Sequence, residues 1–98
     1  MASFTLIRRI DGLIYQFRPD ANTQRRFMRV DRPDLAITWE NALGWVMRDP
    51  VSGALTGRVW DVLPADQGDL PPAGCWVTAK ADKSYVYDLH YDEGGSGA

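Results

Sequence analysis

The sequence predicts a small, mostly β domain: an antiparallel meander, barrel or sandwich of about seven or eight short strands. Three observations predict it. Apolar and polar residues alternate at period two, turns rich in Gly, Asp and Pro punctuate the chain, and no stretch carries a convincing amphipathic-helix pattern. At most a turn of helix is expected around Ala21–Met28 and around Ala65–Leu70.

The first two strands, Phe4–Ile10 and Leu13–Arg18, meet across Asp11-Gly12, a pair suited to a type I′ turn because both of its positions take positive φ. A two-residue turn sets Ile10 opposite Leu13, Arg8 opposite Tyr15 and Leu6 opposite Phe17. Phe4, Leu6, Ile10, Leu13, Tyr15 and Phe17 then share the core face, and Thr5, Ile7, Arg9, Ile14, Gln16 and Arg18 share the outer one. After a loop at Pro19–Thr23, strands follow at Gln24–Val30 and Leu35–Glu40, separated by a turn at Asp31–Asp34. Asn41-Ala-Leu-Gly44 reads as a type I turn closed by a left-handed glycine, and Asp49–Gly53 as a second of that kind. Trp45–Arg48 lies between them, and Arg58–Val62 is the next strand. Residues 63–74 hold three prolines and form the longest irregular segment.

Cys75–Lys80 and Ser84–Tyr91 make a last hairpin around residues 81–83. If Lys80 faces Lys83, Cys75 lies opposite Asp88. Residues 1–93 are expected to form one domain and residues 94–98 a flexible Gly/Ser tail.

Composition narrows the class. Ninety-eight residues, 45% hydrophobic and 24% charged, suit one modest core that needs no metal or disulfide. With Cys75 the single cysteine, neither an internal disulfide nor a cysteine zinc site can form. The apolar residues of the N-terminus precede its Arg8-Arg9 pair, the wrong order for a signal peptide, and no apolar run approaches a membrane span of about 20 residues. A cytoplasmic protein without membrane partners is expected. Net charge is −2 but unevenly spread: residues 1–32 carry seven Arg against three Asp, and residues 33–98 carry four basic groups against ten acidic ones.

Two patterns point to binding. Arg8, Arg9, Arg18, Arg25, Arg26, Arg29 and Arg32 sit among Tyr15, Phe17 and Phe27, the mix of cations and stacking rings that single-stranded nucleic acid uses, with Arg9, Arg18, Arg25, Arg26 and Arg29 as the expected contacts. Tyr85, Tyr87 and Tyr91 share one strand face with Leu89, as either a contact surface or the core side of a strand. A third pattern is catalytic: Cys75, Asp88 and His90 share the other face of that hairpin and could assemble an activated thiolate, the basis of a cysteine hydrolase or transferase. Asp88, His90 and Asp92 alternate as three ligands of a divalent cation would, but without a partner cluster they read as solvated surface. No phosphate-binding glycine loop, dinucleotide fingerprint or paired-histidine site is present, so no cofactor is expected.

The reading is a non-enzymatic binding module acting through protein–protein contacts, in an adaptor, inhibitor or immunity-like role. Its partner is another protein or a second copy of the chain. Aromatic surface, free strand edges and the opposed charges of the two halves motivate it. A nucleic-acid-binding domain is the alternative, and the cysteine enzyme a remote one.

Overall fold

The computed structural model describes residues 3–80 and 83–91. The residues at the tip of the last hairpin, Ala81 and Asp82, and the tail at 94–98 lie outside them. Eight antiparallel strands run β1 Phe4–Arg8, β2 Ile14–Pro19, β3 Arg26–Arg29, β4 Ala36–Glu40, β5 Gly44–Arg48, β6 Leu55–Val59, β7 Cys75–Lys80 and β8 Lys83–Tyr91. Each pairs with the next, and β8 returns to pair with β1, so the meander closes into a barrel. Among the described residues the only helix is a single 3₁₀ turn at Pro64–Asp66. The segment around Ala21–Met28 forms bends, a turn and then β3 instead.

Alternation explains the core. Phe4, Leu6, Phe17, Phe27, Ile37, Trp45, Val59, Trp76, Tyr87 and Leu89 point inward and pack as one cluster. Phe4 is its hub. Its ring stacks on Phe17 at 5.1 Å, lies tilted on Phe27 at 5.2 Å and meets Tyr91 edge-on at 5.6 Å. Trp39 and Trp45 stand opposite each other and contact edge to face at 5.8 Å.

The long connection from β6 to β7 folds across one end of the barrel and plugs it. Pro71 is fully buried there. Gln67 Oε1 accepts the Trp45 backbone N–H at 2.9 Å, and Gln67 Nε2 donates to the Val62 carbonyl at 3.0 Å. The indole N–H of Trp45 donates to the Gly68 carbonyl and that of Trp76 to the Pro72 carbonyl, both at 3.1 Å. The Tyr91 hydroxyl donates to the Pro71 carbonyl. Three large aromatic residues thus bury their rings in the barrel and satisfy their polar atoms on the plug.

The structure corrects the sequence reading in three places. The first hairpin pairs Phe4 with Phe17 and Leu6 with Tyr15, two residues away from the expected register. Arg9–Gly12 forms a four-residue loop in which Gly12, at φ +73°, donates to the Arg8 carbonyl and Asp11 caps the Leu13 N–H. A two-residue slip preserves strand faces, so Phe4, Leu6, Tyr15 and Phe17 stay inside, but Ile10 and Leu13 move out onto the exposed loop. The sixth strand lies earlier than expected, at Leu55–Val59, because Gly57 belongs to the wall where Met47 and Thr78 close over it. Trp60 consequently leaves the sheet and is exposed. Finally, closure leaves none of the eight strands with a free edge, which removes edge pairing as a motive for self-association. The last hairpin keeps its expected register, Lys80 opposite Lys83 and Cys75 opposite Asp88.

Two glycine substitutions separate backbone strain from plug displacement. At Gly44, φ is +79° and an added Cβ would lie 2.5 Å from Gln67 Oε1. At Gly12, φ is also positive but nothing lies within 4 Å of that Cβ. In urea titrations, Gly12→Ala is expected to cost about 1 kcal/mol from strain alone, and Gly44→Ala about 2–4 kcal/mol because the plug must also shift.

Candidate functional site

The barrel interior is graded from one end to the other, and the sequence of each strand sets the gradient. Read from the plugged end, inward positions run Phe4, Leu6, Arg8 on β1; Phe27, Arg29 on β3; Trp76, Thr78 on β7; and Leu89, Tyr87, Tyr85 on β8. On these four strands an apolar group lies toward the plug and a polar or cationic group toward the other end. At that other end the barrel opens into a cavity of about 360 Å³. Leu6, Phe17 and Met47 form its floor, Tyr15, Tyr85, Tyr87 and Thr78 its walls, and Arg8, Arg29, Arg32 and Arg48 its rim. An eight-stranded barrel is just wide enough to be filled by its own side chains or to hold one small ligand. Here one end follows the first course and the other the second.

The two inward arginines are fixed on two sides. Arg8 donates through Nε and Nη2 to both Asp11 carboxylate oxygens, at 2.9 and 2.6 Å, while its guanidinium lies 4.5 Å from the Tyr85 ring centroid. Arg29 does the same with Asp31, at 2.6 and 2.9 Å, and lies 4.2 Å from the Tyr15 ring. Bidentate pairing and stacking together hold a guanidinium in one plane, which a lysine could not reproduce. Asp11 is pulled down to a pKa of about 2, chiefly by its hydrogen bonds from Arg8. Asp31 is lowered by Arg29 in the same way. Burial pushes the Tyr87 hydroxyl up, against the influence of Arg8 and Thr78 beside it, so Tyr87 keeps its proton and can donate.

Of the binding residues read from the sequence, Arg29, Tyr85 and Tyr87 come together at this cavity. The others disperse. Arg9 lies outside the rim and pairs with Asp88 at 2.9 and 2.7 Å. Arg18 is exposed on β2. Arg26 binds Asp20 at 2.7 Å. Arg25 sits at the plugged end, where it pairs with Asp69 at 3.2 Å and lies 4.9 Å from the Trp39 ring. Tyr91 packs on Phe4 and holds the plug. Met47 and Thr78 were missed, and Arg8 and Tyr15, though part of the arginine and aromatic pattern, were not among the expected contacts. Their signal was the same alternation that marks the core: Arg8 follows Leu6, and Arg29 follows Phe27, on an inward face.

The cysteine constellation, the remote alternative in the sequence, forms only in part. Cys75 faces Asp88, but both Asp88 oxygens are held by Arg9, and no hydrogen bond joins Cys75 to His90 among the described residues. Asp92, the third residue of the alternating Asp88, His90 and Asp92 set that the sequence reads as solvated surface, lies outside the described residues, and no cluster of metal-binding side chains occurs within them. No described helix is long and apolar enough to cross a membrane. Searches against family models, curated proteins and solved structures found no match to this chain.

The carboxylates give the pH dependence a sign. Asp11, Asp20, Asp31, Glu40, Asp49 and Asp88 all have lowered values in the fold, so their contribution is present above the unfolded carboxylate range and is lost as pH falls. The Tm is expected to fall as pH drops from about 4 to about 2, the range set by Asp11. Asp11→Asn is expected to reduce this drop, which thermal melts across that range would measure.

Proposed function

We propose that this chain is a non-enzymatic binding module whose recognition site is the open end of its barrel. One observation carries the reading: the two ends are built differently. At the plugged end Trp45 and Trp76 bury their rings and satisfy their polar atoms, although Trp60 stays exposed there, whereas the open end leaves a cavity with an apolar floor and two inward guanidinia held in fixed orientation. Pockets with apolar linings and a few convergent polar groups, at the mouths of barrels, are where small ligands ordinarily sit.

A protein partner seated on the same end is the second reading, and the loop tips support it. Val51 is 95% exposed and Ile10 78%, with Ile14, Val30 and Leu55 also exposed near the rim. Apolar groups at the tips of loops around an opening are natural contact points for another chain. Nucleic acid draws less support. Of the five arginines read as a cationic track, Arg9, Arg25, Arg26 and Arg29 are each paired with a carboxylate, and the set is divided between the two ends and the outer wall.

Titration of a library of small soluble fragments into isotope-labelled protein, followed by amide chemical shifts, tests the reading. Hits are expected to perturb Leu6, Tyr15, Met47, Thr78 and Tyr87 together. Hits that gather at the plugged end, or scatter over the outer wall, would count against it.

A further inference from the structure

Building on the open end as the recognition site, we propose that its cavity takes an amphipathic anion. A flat apolar body would rest on Leu6, Phe17 and Met47, and a carboxylate, sulfonate or phosphate head would be held by Arg8 and Arg29.

The orientation of the ion pairs supplies the sign. The Arg8 side chain is 18% exposed and its partner Asp11 47%; Arg29 is 19% exposed and Asp31 60%. Each pair therefore turns its cation toward the cavity and its carboxylate toward water. Although the pairs are neutral as wholes, a ligand inside meets the positive ends first, with less solvent between than Asp11 and Asp31 have. Each carboxylate also occupies only the Nε–Nη2 edge of its guanidinium. Nη1 of Arg29 donates no hydrogen bond among the described residues. The other polar groups of the wall are hydroxyls, on Tyr15, Tyr85, Tyr87 and Thr78, which can donate as well as accept. The one acidic lining residue, Asp49, is turned to its own loop, where it accepts the Val51 and Ser52 N–H groups. The wall thus offers donors in excess.

The same contacts argue against a cationic ligand. Tyrosine rings can cage an ammonium group, but the rings of Tyr85 and Tyr15 are already covered by guanidinia at 4.5 and 4.2 Å. A second cation would find those positions occupied and meet like charge. Size bounds the body of the ligand. A cavity of about 360 Å³ stands at the low end of the range for small-molecule sites. It has room for one fused or paired ring system, or for the apolar last residue and terminal carboxylate of a peptide chain. A free small acid and a chain end present the same chemistry.

Fluorescence titration with anilinonaphthalene sulfonate, against its uncharged relative phenylnaphthylamine, tests the proposal. The sulfonate is expected to bind at least about tenfold more tightly. Arg8→Met and Arg29→Met should each weaken it about tenfold, as loss of a hydrogen bond to a charged group does, and leave the neutral probe within about twofold. Thr78→Phe fills the cavity and should abolish both signals. Should the arginine variants fail to fold, competition on the unaltered protein decides instead: naphthoate should displace the sulfonate probe and naphthamide should not. A short peptide ending in phenylalanine, with a free or an amidated terminus, separates the two sources. Arginine-dependent binding of the free acid identifies a chain end, and binding of the sulfonate without the peptide identifies a free small anion; both agree with the proposal. Equal binding of charged and neutral probes, blocked by Thr78→Phe but indifferent to charge, would overturn the anion and leave the open end as the site. Binding of neither probe, or binding that Thr78→Phe does not change, would overturn both.

Discussion

The pairing of β1 with β8 is the constraint on which the rest of this structure depends. Residues at opposite ends of the chain meet there in register, from Phe4 opposite Tyr91 to Arg8 opposite Tyr87. That seam turns a meander of short strands into a closed barrel, and closure does three things at once. It saturates the backbone groups that an edge strand would expose. It brings Phe4 into contact with Tyr91, so the aromatic hub is shared between the first and last strands. It also stands Arg8 beside Tyr85 and Tyr87, whose strand begins 75 residues further along the chain, at Lys83.

Closure in turn creates a space that the strands alone do not fill evenly. Near the plug, Phe4, Phe17, Phe27, Trp45 and Trp76 supply enough volume to pack solidly, and Gln67 and Pro71 from the long β6–β7 connection finish the job. Toward the other end the inward residues change character. Met47, Thr78 and three tyrosines replace the large apolar rings, and two guanidinia stand where further core residues would otherwise pack. Charged groups are tolerated there because they never lose all their partners: each has a carboxylate on its water side and a ring on its inner side. A barrel selected for stability alone would fill both ends. The unequal filling is therefore the feature on which the proposed function rests.

Much of this was legible in the sequence, and the reasons are local. Period-two patterning identifies strand faces correctly even where pairing is mistaken, since the first hairpin slipped by two residues and kept Phe4, Leu6, Tyr15 and Phe17 inside. The slip itself came from reading Asp11-Gly12 as a two-residue turn. Asp11 has a bidentate arginine partner in Arg8 and caps Leu13, and those side-chain bonds favour the longer loop. Residues 75–91 were easier because two long alternating runs with a short gap leave little choice of register. The fate of the tyrosine stripe and of the arginines was not legible. Whether Arg29 and Tyr85 meet depends on which strands become neighbours across the barrel, and that is decided by closure, a long-range event no local pattern encodes. The charge difference between the two parts of the chain misled for a related reason: several arginines found carboxylates within a few residues, as Arg29 found Asp31 and Arg26 found Asp20. A block of charge in sequence did not become a charged face.

Amide hydrogen exchange along β1 tests closure most directly. Arg9 donates to Val86 and Arg8 to Leu13, so by strand alternation the amides of Thr5 and Ile7 face β8 while those of Phe4 and Leu6 face β2. A closed barrel protects both sets alike, and their protection factors should agree within about tenfold. If Thr5 and Ile7 exchange orders of magnitude faster than Phe4 and Leu6, β1 is a free edge, the barrel is open at its seam, and the cavity at its mouth does not exist as described.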